Sequence, residues 1–282
     1  MDETHSMQTL VAPIVAIAQQ AGEAVMKFYS QEELATTYKE LDAPLTCADI
    51  ASHDLIVQQL QALTPSVPVL SEESKAVPYH VRQAWRTFWL VDPLDGTKEF
   101  IKRNGEFTVN IALVEDGRPV LGVVHAPAMD MTYFAAAGVG AFQQKAQNQI
   151  NPISVAEYDP AILKVVVSRS HPSKELNAFL ERIGCSFECV PTGSSLKICL
   201  VAEGRAHLYP RLGPTMEWDT AAAHCVVEMA GGTITDLNGH ALRYNKHDLH
   251  NPEFMVCGLP GFHWKAYLEV KDAGAARRST AA

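Results

Sequence analysis

The sequence has no Cys-x-x-Cys pair, no glycine-rich dinucleotide fingerprint, no excess of basic residues, and no uninterrupted apolar run near the ~18 residues that a membrane span requires. Each absence excludes a class. The six cysteines (Cys47, Cys185, Cys189, Cys199, Cys225, Cys257) are scattered. Cys185 and Cys189 stand four apart without a second pair, too little for zinc or a disulfide framework, so reduced and mostly buried thiols are expected. Gly138 and Gly140 have no third glycine after them and read as a turn. With 32 acidic against 23 basic residues, the net charge of −9 argues against a nucleic-acid polymer or an anionic membrane surface as partner. An anionic ligand would have to be held by metal ions or by a local basic patch. The start of the chain, with Asp2 and Glu3, lacks the basic region of a signal peptide. No integral membrane association is expected. The expected location is the cytoplasm, with peripheral association at the inner membrane as the alternative.

Against these absences one stretch stands out, Trp89-Leu90-Val91-Asp92-Pro93-Leu94-Asp95-Gly96-Thr97-Lys98. Thr87 to Val91 reads as a buried strand that runs into a turn carrying two carboxylates and a glycine. Pro93 holds Asp92 extended, and Gly96 lets the backbone come close to a ligand. The residues that follow can open a short helix whose free N–H groups face an anion. Carboxylates beside an anion site make sense when divalent cations lie between them and a phosphate. A plain Asp-Gly surface turn would account for Asp95 and Gly96 alone, but not for the acidic residues elsewhere.

The rest of the 282-residue chain can be placed around this stretch. Residues 7–29 form an amphipathic helix with Leu10, Ile14, Ile17, Ala21 and Phe28 on one face. A second helix covers 46–63, with Asp49 three residues after Thr46 in a capping-box-like start. Val67 to Leu70 is a short strand ending at Ser71-Glu72-Glu73-Ser74. Strands at 107–115 and 119–126 flank the Asp116-Gly117 turn, and shorter strands near 131–136 and 140–144 extend the sheet. From 153 onward strands and helices alternate. Strands are predicted at 163–168, 187–190, 205–210 and 232–236, and helices at 172–183, 194–203 and 218–230. The expected division is an α+β domain over 1–153, an α/β domain over 154–270 and a tail over 271–282.

A second acidic site opens the helix after Glu217. Asp219 reads as its N-cap and Gly231-Gly232 as its stop. Ala221-Ala222-Ala223 in its first turns let it approach another element very closely. Asp219 can serve as cap and metal ligand together. His247 and His250 read as surface residues rather than a zinc pair.

Taken together, Glu72-Glu73, Asp92-Pro-Leu-Asp95-Gly-Thr97, Trp218-Asp219-Thr-Ala-Ala and Gly231-Gly232 resemble the inositol monophosphatase superfamily over roughly residues 8 to 260. Lys98-Glu99-Phe100-Ile101, Ser168-Arg169-Ser170-His171 and Gly193-Ser194-Ser195-Leu196-Lys197 look most like its CysQ-type 3′(2′),5′-bisphosphate nucleotidase branch. The resemblance implies the layered α-β-α-β-α sandwich of the sugar phosphatases, and two or three Mg²⁺ ions. One ion would be held by Glu72 (rather than Glu73), Asp92 and the Leu94 carbonyl, a second by Asp92, Asp95 and Asp219. Thr97, paired with Asp49, would help Glu72 orient and deprotonate a water, and the N–H groups of Gly96 and Thr97 would hold phosphate oxygens. Ser168, His171, Gly193 and Lys197 would contact a small-molecule nucleotide, with Arg169 and Arg211 as further cationic options. The implied state is a monomer or homodimer. Rival readings are an inositol- or sugar-phosphate phosphatase on the same scaffold, and a non-catalytic metal or nucleotide sensor.

Overall fold

The computed structural model describes residues 7–30, 36–38, 44–145, 149–157, 162–168, 174–183 and 186–267. In chain order the elements are α1 (Met7–Tyr29), β1 (Thr36–Tyr38), β2 (Pro44–Thr46), α2 (Cys47–Leu63), β3 (Val69–Ser71), α3 (Tyr79–Arg82), β4 (Thr87–Asp95) and α4 (Thr97–Ile101). A run of strands follows: β5 (Thr108–Glu115), β6 (Arg118–Ala126), β7 (Met131–Ala136), β8 (Gly140–Lys145) and β9 (Gln149–Pro152). The remainder is β10 (Leu163–Ser168), α5 (Lys174–Ile183), β11 (Phe187–Thr192), α6 (Leu196–Ala202), β12 (Leu208–Arg211), α7 (Glu217–Met229), β13 (Thr233–Asp236) and β14 (Phe254–Cys257).

β3 to β9 pair in sequence order into a seven-stranded sheet, antiparallel except where β3 runs parallel to β4. A five-stranded mixed sheet has the order β11-β10-β12-β14-β13, and β1 and β2 form a small hairpin. Strand alternation distributes the core to both faces of the larger sheet. Trp89, Val91, Ile111, Leu113 and Val123 meet α1 and α2, whereas Phe88, Leu90, Ala112, Val114 and Val124 meet α7. The smaller sheet divides in the same way. Val166, Tyr209, Phe254 and Val256 join the core of α6 and α7, while Val165, Leu208, Met255 and Cys257 pack with α5. The layers are therefore α1/α2, seven-stranded sheet, α6/α7, five-stranded sheet and α5. This is the α-β-α-β-α sandwich that the resemblance implies.

Several local expectations are corrected. By length and composition alone α1 is long and apolar enough to cross a membrane, although no uninterrupted apolar run marks it. Leu10, Ile14, Ile17, Ala21 and Val25 form the face it buries on the sheet, and Glu23 and Lys27 face outward. The strand over 87–91 does not stop before the acidic pair but runs on to Asp95, because a bulge lets pairing with β5 resume. Asp219 is not the N-cap of α7. The helix begins at Glu217, and Asp219 Oδ2 accepts the Met216 N–H at 2.9 Å from the third position. β9 and β14 have no counterpart in the sequence pattern. Of the cysteines, Cys199, Cys225 and Cys257 are buried and Cys47 and Cys189 exposed, all as free thiols.

Candidate active site

The site forms where the end of β4 meets the first turn of α7. β4 is rigid because Phe88, Trp89, Leu90 and Val91 are almost fully buried, each contributing about 1.5–3 kcal/mol. Asp92 pairs with Asn110 and Asp95 with Thr108, so β4 has one residue more than β5 in this interval. A bulge of this kind re-aims side chains, and it accommodates Pro93, which has no N–H to pair. The backbone groups within it are satisfied locally. Leu94 N–H donates to Asp92 Oδ1 at 3.1 Å, and Ser52 Oγ of α2 donates to the Pro93 carbonyl at 2.8 Å. Leu94 buries its side chain, and its carbonyl accepts from Thr97 Oγ1 at 3.4 Å. Gly96, at φ 91°, makes the left-handed step into α4 that a side chain would resist.

Four further carboxylates bear on Asp92. Burial raises its pKa well above the ordinary value, and the charges of Glu72, Asp95, Asp219 and Asp49 raise it further. Asp219 is pushed up to about 8, first by burial and then by Asp95 and Glu72, with the Met216 N–H and Arg211 acting against them. Residues from α2, the end of β3, both arms of the β4 bulge and α7 thus share one acidic locus. Glu72 is the member of its pair whose charge reaches Asp92 and Asp219. Its N–H donates to the Val91 carbonyl at 3.1 Å, which continues β3 alongside β4.

Two buried polar atoms beside this locus, Thr108 Oγ1 and Asn110 Oδ1, have no hydrogen-bond partner. A crowded set of oxygen donors next to unsatisfied oxygen atoms suits a hard divalent cation. Among the described residues, however, no three His, Cys, Asp or Glu side chains already stand as a closed metal cage. Two of the acids are held by protein donors, Asp95 by Ser195 Oγ at 2.7 Å and Asp219 by Met216 N at 2.9 Å.

A cavity of roughly 80 Å³ adjoins the acids, lined by Asp95, Ser194, Lys197, Tyr209, Arg211 and Asp219 among others. Lys197 Nζ lies 5.8 Å from the centre of the Tyr209 ring. Arg211 is anchored by Nε to the Gly213 carbonyl at 3.2 Å and by a terminal nitrogen to the Pro214 carbonyl at 2.7 Å. The lining therefore combines two carboxylates, Asp95 and Asp219, with two cationic side chains, Lys197 and Arg211. Gly193 is buried at the turn leading to Lys197, where a Cβ would come 2.8 Å from Glu99 Cγ. Arg169, His171 and the Ser168 side chain lie outside the described residues. His247 packs edge-on against Tyr79 and His250 pairs with Asp248 at 2.7 Å, so neither belongs to the site.

Residues 6–269 match the model of the inositol monophosphatase family. The chain belongs to that family. Among family members, it is 47% identical over 249 residues to the 3′(2′),5′-bisphosphate nucleotidase CysQ of Salmonella typhimurium, covering 88% of this chain and 99% of the relative. It is 48% identical over 245 residues to the CysQ of Escherichia coli K12, covering 86% and 97%. The crystal structure of CysQ from Bacteroides thetaiotaomicron superposes with a TM-score of 0.79 at 40% identity, covering 89% of this chain and 97% of that one. An inositol monophosphatase fold thus carries the acidic locus and the cavity. Asn110 and Thr108 are neighbours that the sequence pattern does not single out, and Ser195 enters it only as part of the Gly193–Lys197 motif with no role of its own, since a polar residue in a strand or at a helix start carries no signal by itself.

Proposed function

We propose that the protein is a Mg²⁺-dependent phosphomonoesterase acting on 3′(2′),5′-bisphosphate nucleotides. It would convert 3′-phosphoadenosine 5′-phosphate to AMP and phosphate, with 3′-phosphoadenylyl sulfate as a second substrate, in nucleotide recycling and sulfur assimilation in the cytoplasm. The observation that carries this reading is the gathering of Asp49, Glu72, Asp95 and Asp219 around Asp92. The names of the CysQ relatives supply the substrate class.

In this reading Glu72, Asp92 and the Leu94 carbonyl would hold one Mg²⁺, and Asp92, Asp95 and Asp219 would hold a second. When bound, the ions neutralise the phosphate and acidify water. Glu72 takes the proton of the attacking water, with Asp49 and Thr97 orienting it. The N–H groups of Gly96 and Thr97 would hold phosphate oxygens, and attack is direct and in line, without a phosphoenzyme. As the water oxygen bonds to phosphorus, the P–O bond to the ribose 3′-oxygen breaks, and that oxygen leaves as the hydroxyl of AMP, protonated from solvent. Lys197 and Arg211 face the phosphate that is not cleaved, and Ser168, His171 and Gly193 complete the nucleotide contacts. Two phosphates suit a cavity whose lining holds both cation-binding carboxylates and basic side chains.

A phosphate-release panel with and without Mg²⁺ tests the reading. The expected result is Mg²⁺-dependent release from adenosine 3′,5′-bisphosphate that is much faster than from inositol 1-phosphate. Preference for the inositol ester would reassign the substrate. Nucleotide binding without any release would leave a sensor.

A further inference from the structure

Ser195 lies where the two halves of the acidic locus meet. It is 3% exposed, and its Oγ is 2.7 Å from Asp95 Oδ2, 2.7 Å from the Asp219 carbonyl oxygen and 2.9 Å from Asn110 Nδ2. A serine at the N-cap of a helix ordinarily turns its hydroxyl onto that helix. Ser195 occupies the N-cap of α6 and makes no such bond; its hydroxyl is turned to the acids instead.

The hydrogen count at this junction is constrained. Asn110 Nδ2 only donates, so Ser195 Oγ accepts from it. The single hydroxyl hydrogen is then shared between the Asp95 carboxylate and the Asp219 carbonyl. A bare carboxylate is the stronger acceptor of the two. Once a cation draws on Asp95, the same hydrogen can turn to the carbonyl without Ser195 moving. The backbone beneath is held firmly: Ser194 adopts φ 46°, and a Cβ on Gly193 would come 2.9 Å from the Glu106 carbonyl oxygen.

We propose that Ser195, backed by Asn110, is a positioning residue that fixes the separation of Asp95 and Asp219 and thereby sets cation affinity rather than nucleotide affinity. The inference rests on the metal-site reading above. Removing outer partners of metal ligands costs about 10–100-fold in metal affinity, and a loss in that range is expected here.

The test is Mn²⁺ binding to the full chain, followed by the paramagnetic resonance signal of the free ion, for wild type, Ser195→Ala and Ser195→Cys. Ser195→Ala should bind Mn²⁺ at least about ten-fold more weakly. Ser195→Cys, close in volume with a weaker donor, should fall between, and it provides the comparison if the alanine variant fails to fold. At saturating Mg²⁺ the nucleotide KM of the variants should stay within about two-fold of wild type, and lost turnover should be recovered by added Mg²⁺. Wild-type Mn²⁺ affinity in both variants would overturn the role of Ser195 and leave the metal site standing. A wild-type protein that binds no Mn²⁺ would overturn the metal-site reading itself.

Discussion

Gly122 of β6 lies so close beneath Ala222 of α7 that a methyl group on the glycine would sit 2.2 Å from the Ala222 carbonyl oxygen and 2.9 Å from Cys225 Cβ. The alanine run at the start of α7 is buried to within 2% exposure and makes this approach possible. The seating of α7 determines where Asp219 falls relative to Asp95. Gly122→Ala should therefore destabilise the fold by about 1–3 kcal/mol through overpacking and lower activity as well. The denaturation midpoint in urea checks the first effect. A midpoint equal to that of wild type would mean that α7 shifts freely on the sheet.

Asp95→Asn keeps the shape of the side chain and its place at the end of the bulge. It removes one charge from the acidic locus but leaves an oxygen to accept from Ser195 Oγ. Turnover should fall at least about 10²–10³-fold, the cost of losing one preorganised charge-stabilising group. The far-ultraviolet circular dichroism and the melting temperature should hold, because Asp95 is only half-buried and its removal takes one like charge away from the acidic locus. Loss of both fold and activity would refute a purely chemical role.

Lys197 lines the same cavity as Asp95 and Asp219, with its amine 5.8 Å from the centre of the Tyr209 ring. A hydrogen bond to a charged group contributes about 1.5–3 kcal/mol. Lys197→Ala should thus raise the KM for the adenosine bisphosphate about 10–100-fold and leave kcat nearly unchanged. An ester carrying a single phosphate should barely respond. An equal loss on both substrates would remove Lys197 from substrate choice.

His125 gives the fold a pH dependence of its own. Its ring is buried between β6 and α1, with Nδ1 2.9 Å from Thr132 Oγ1, and a Cβ on Gly22 would come 2.5 Å from its Cδ2. Burial lowers its pKa from 6.5 to about 4, against a smaller opposing effect of Asp130. Between those values the unfolded chain binds the proton and the folded one does not. Stability from this group is full above pH 6.5 and is lost as pH falls toward 4, by about 3 kcal/mol at most. Urea midpoints measured from pH 7 to pH 4 should fall more steeply for wild type than for His125→Gln. Parallel curves would exclude the histidine as the source.

Short-range order is what the sequence by itself determined. The apolar stripe of α1, the unbroken hydrophobic run of β4, the Asp116-Gly117 hairpin and the alanine face of α7 are legible because helix and strand periods and turn residues act over a few positions. The acidic motifs were legible too, each as a local group of unusual composition. Their meeting was not. Glu72, Asp92 and Asp219 are brought together by sheet pairing and by the seating of α7 across it, and nothing in a local pattern encodes a contact across more than a hundred residues. The bulge that carries Asp92 and Asp95, the third-position placement of Asp219, the insertion of β14 between β12 and β13, and the bridging role of Ser195 were likewise decided only by the tertiary structure. For the bulge, β14 and Ser195 the deciding interaction is with a partner distant in sequence, an opposing strand or a carboxylate from the other half of the chain. Asp219 is instead set by its bond to Met216, once the start of α7 is fixed by pairing with the 249–250 segment.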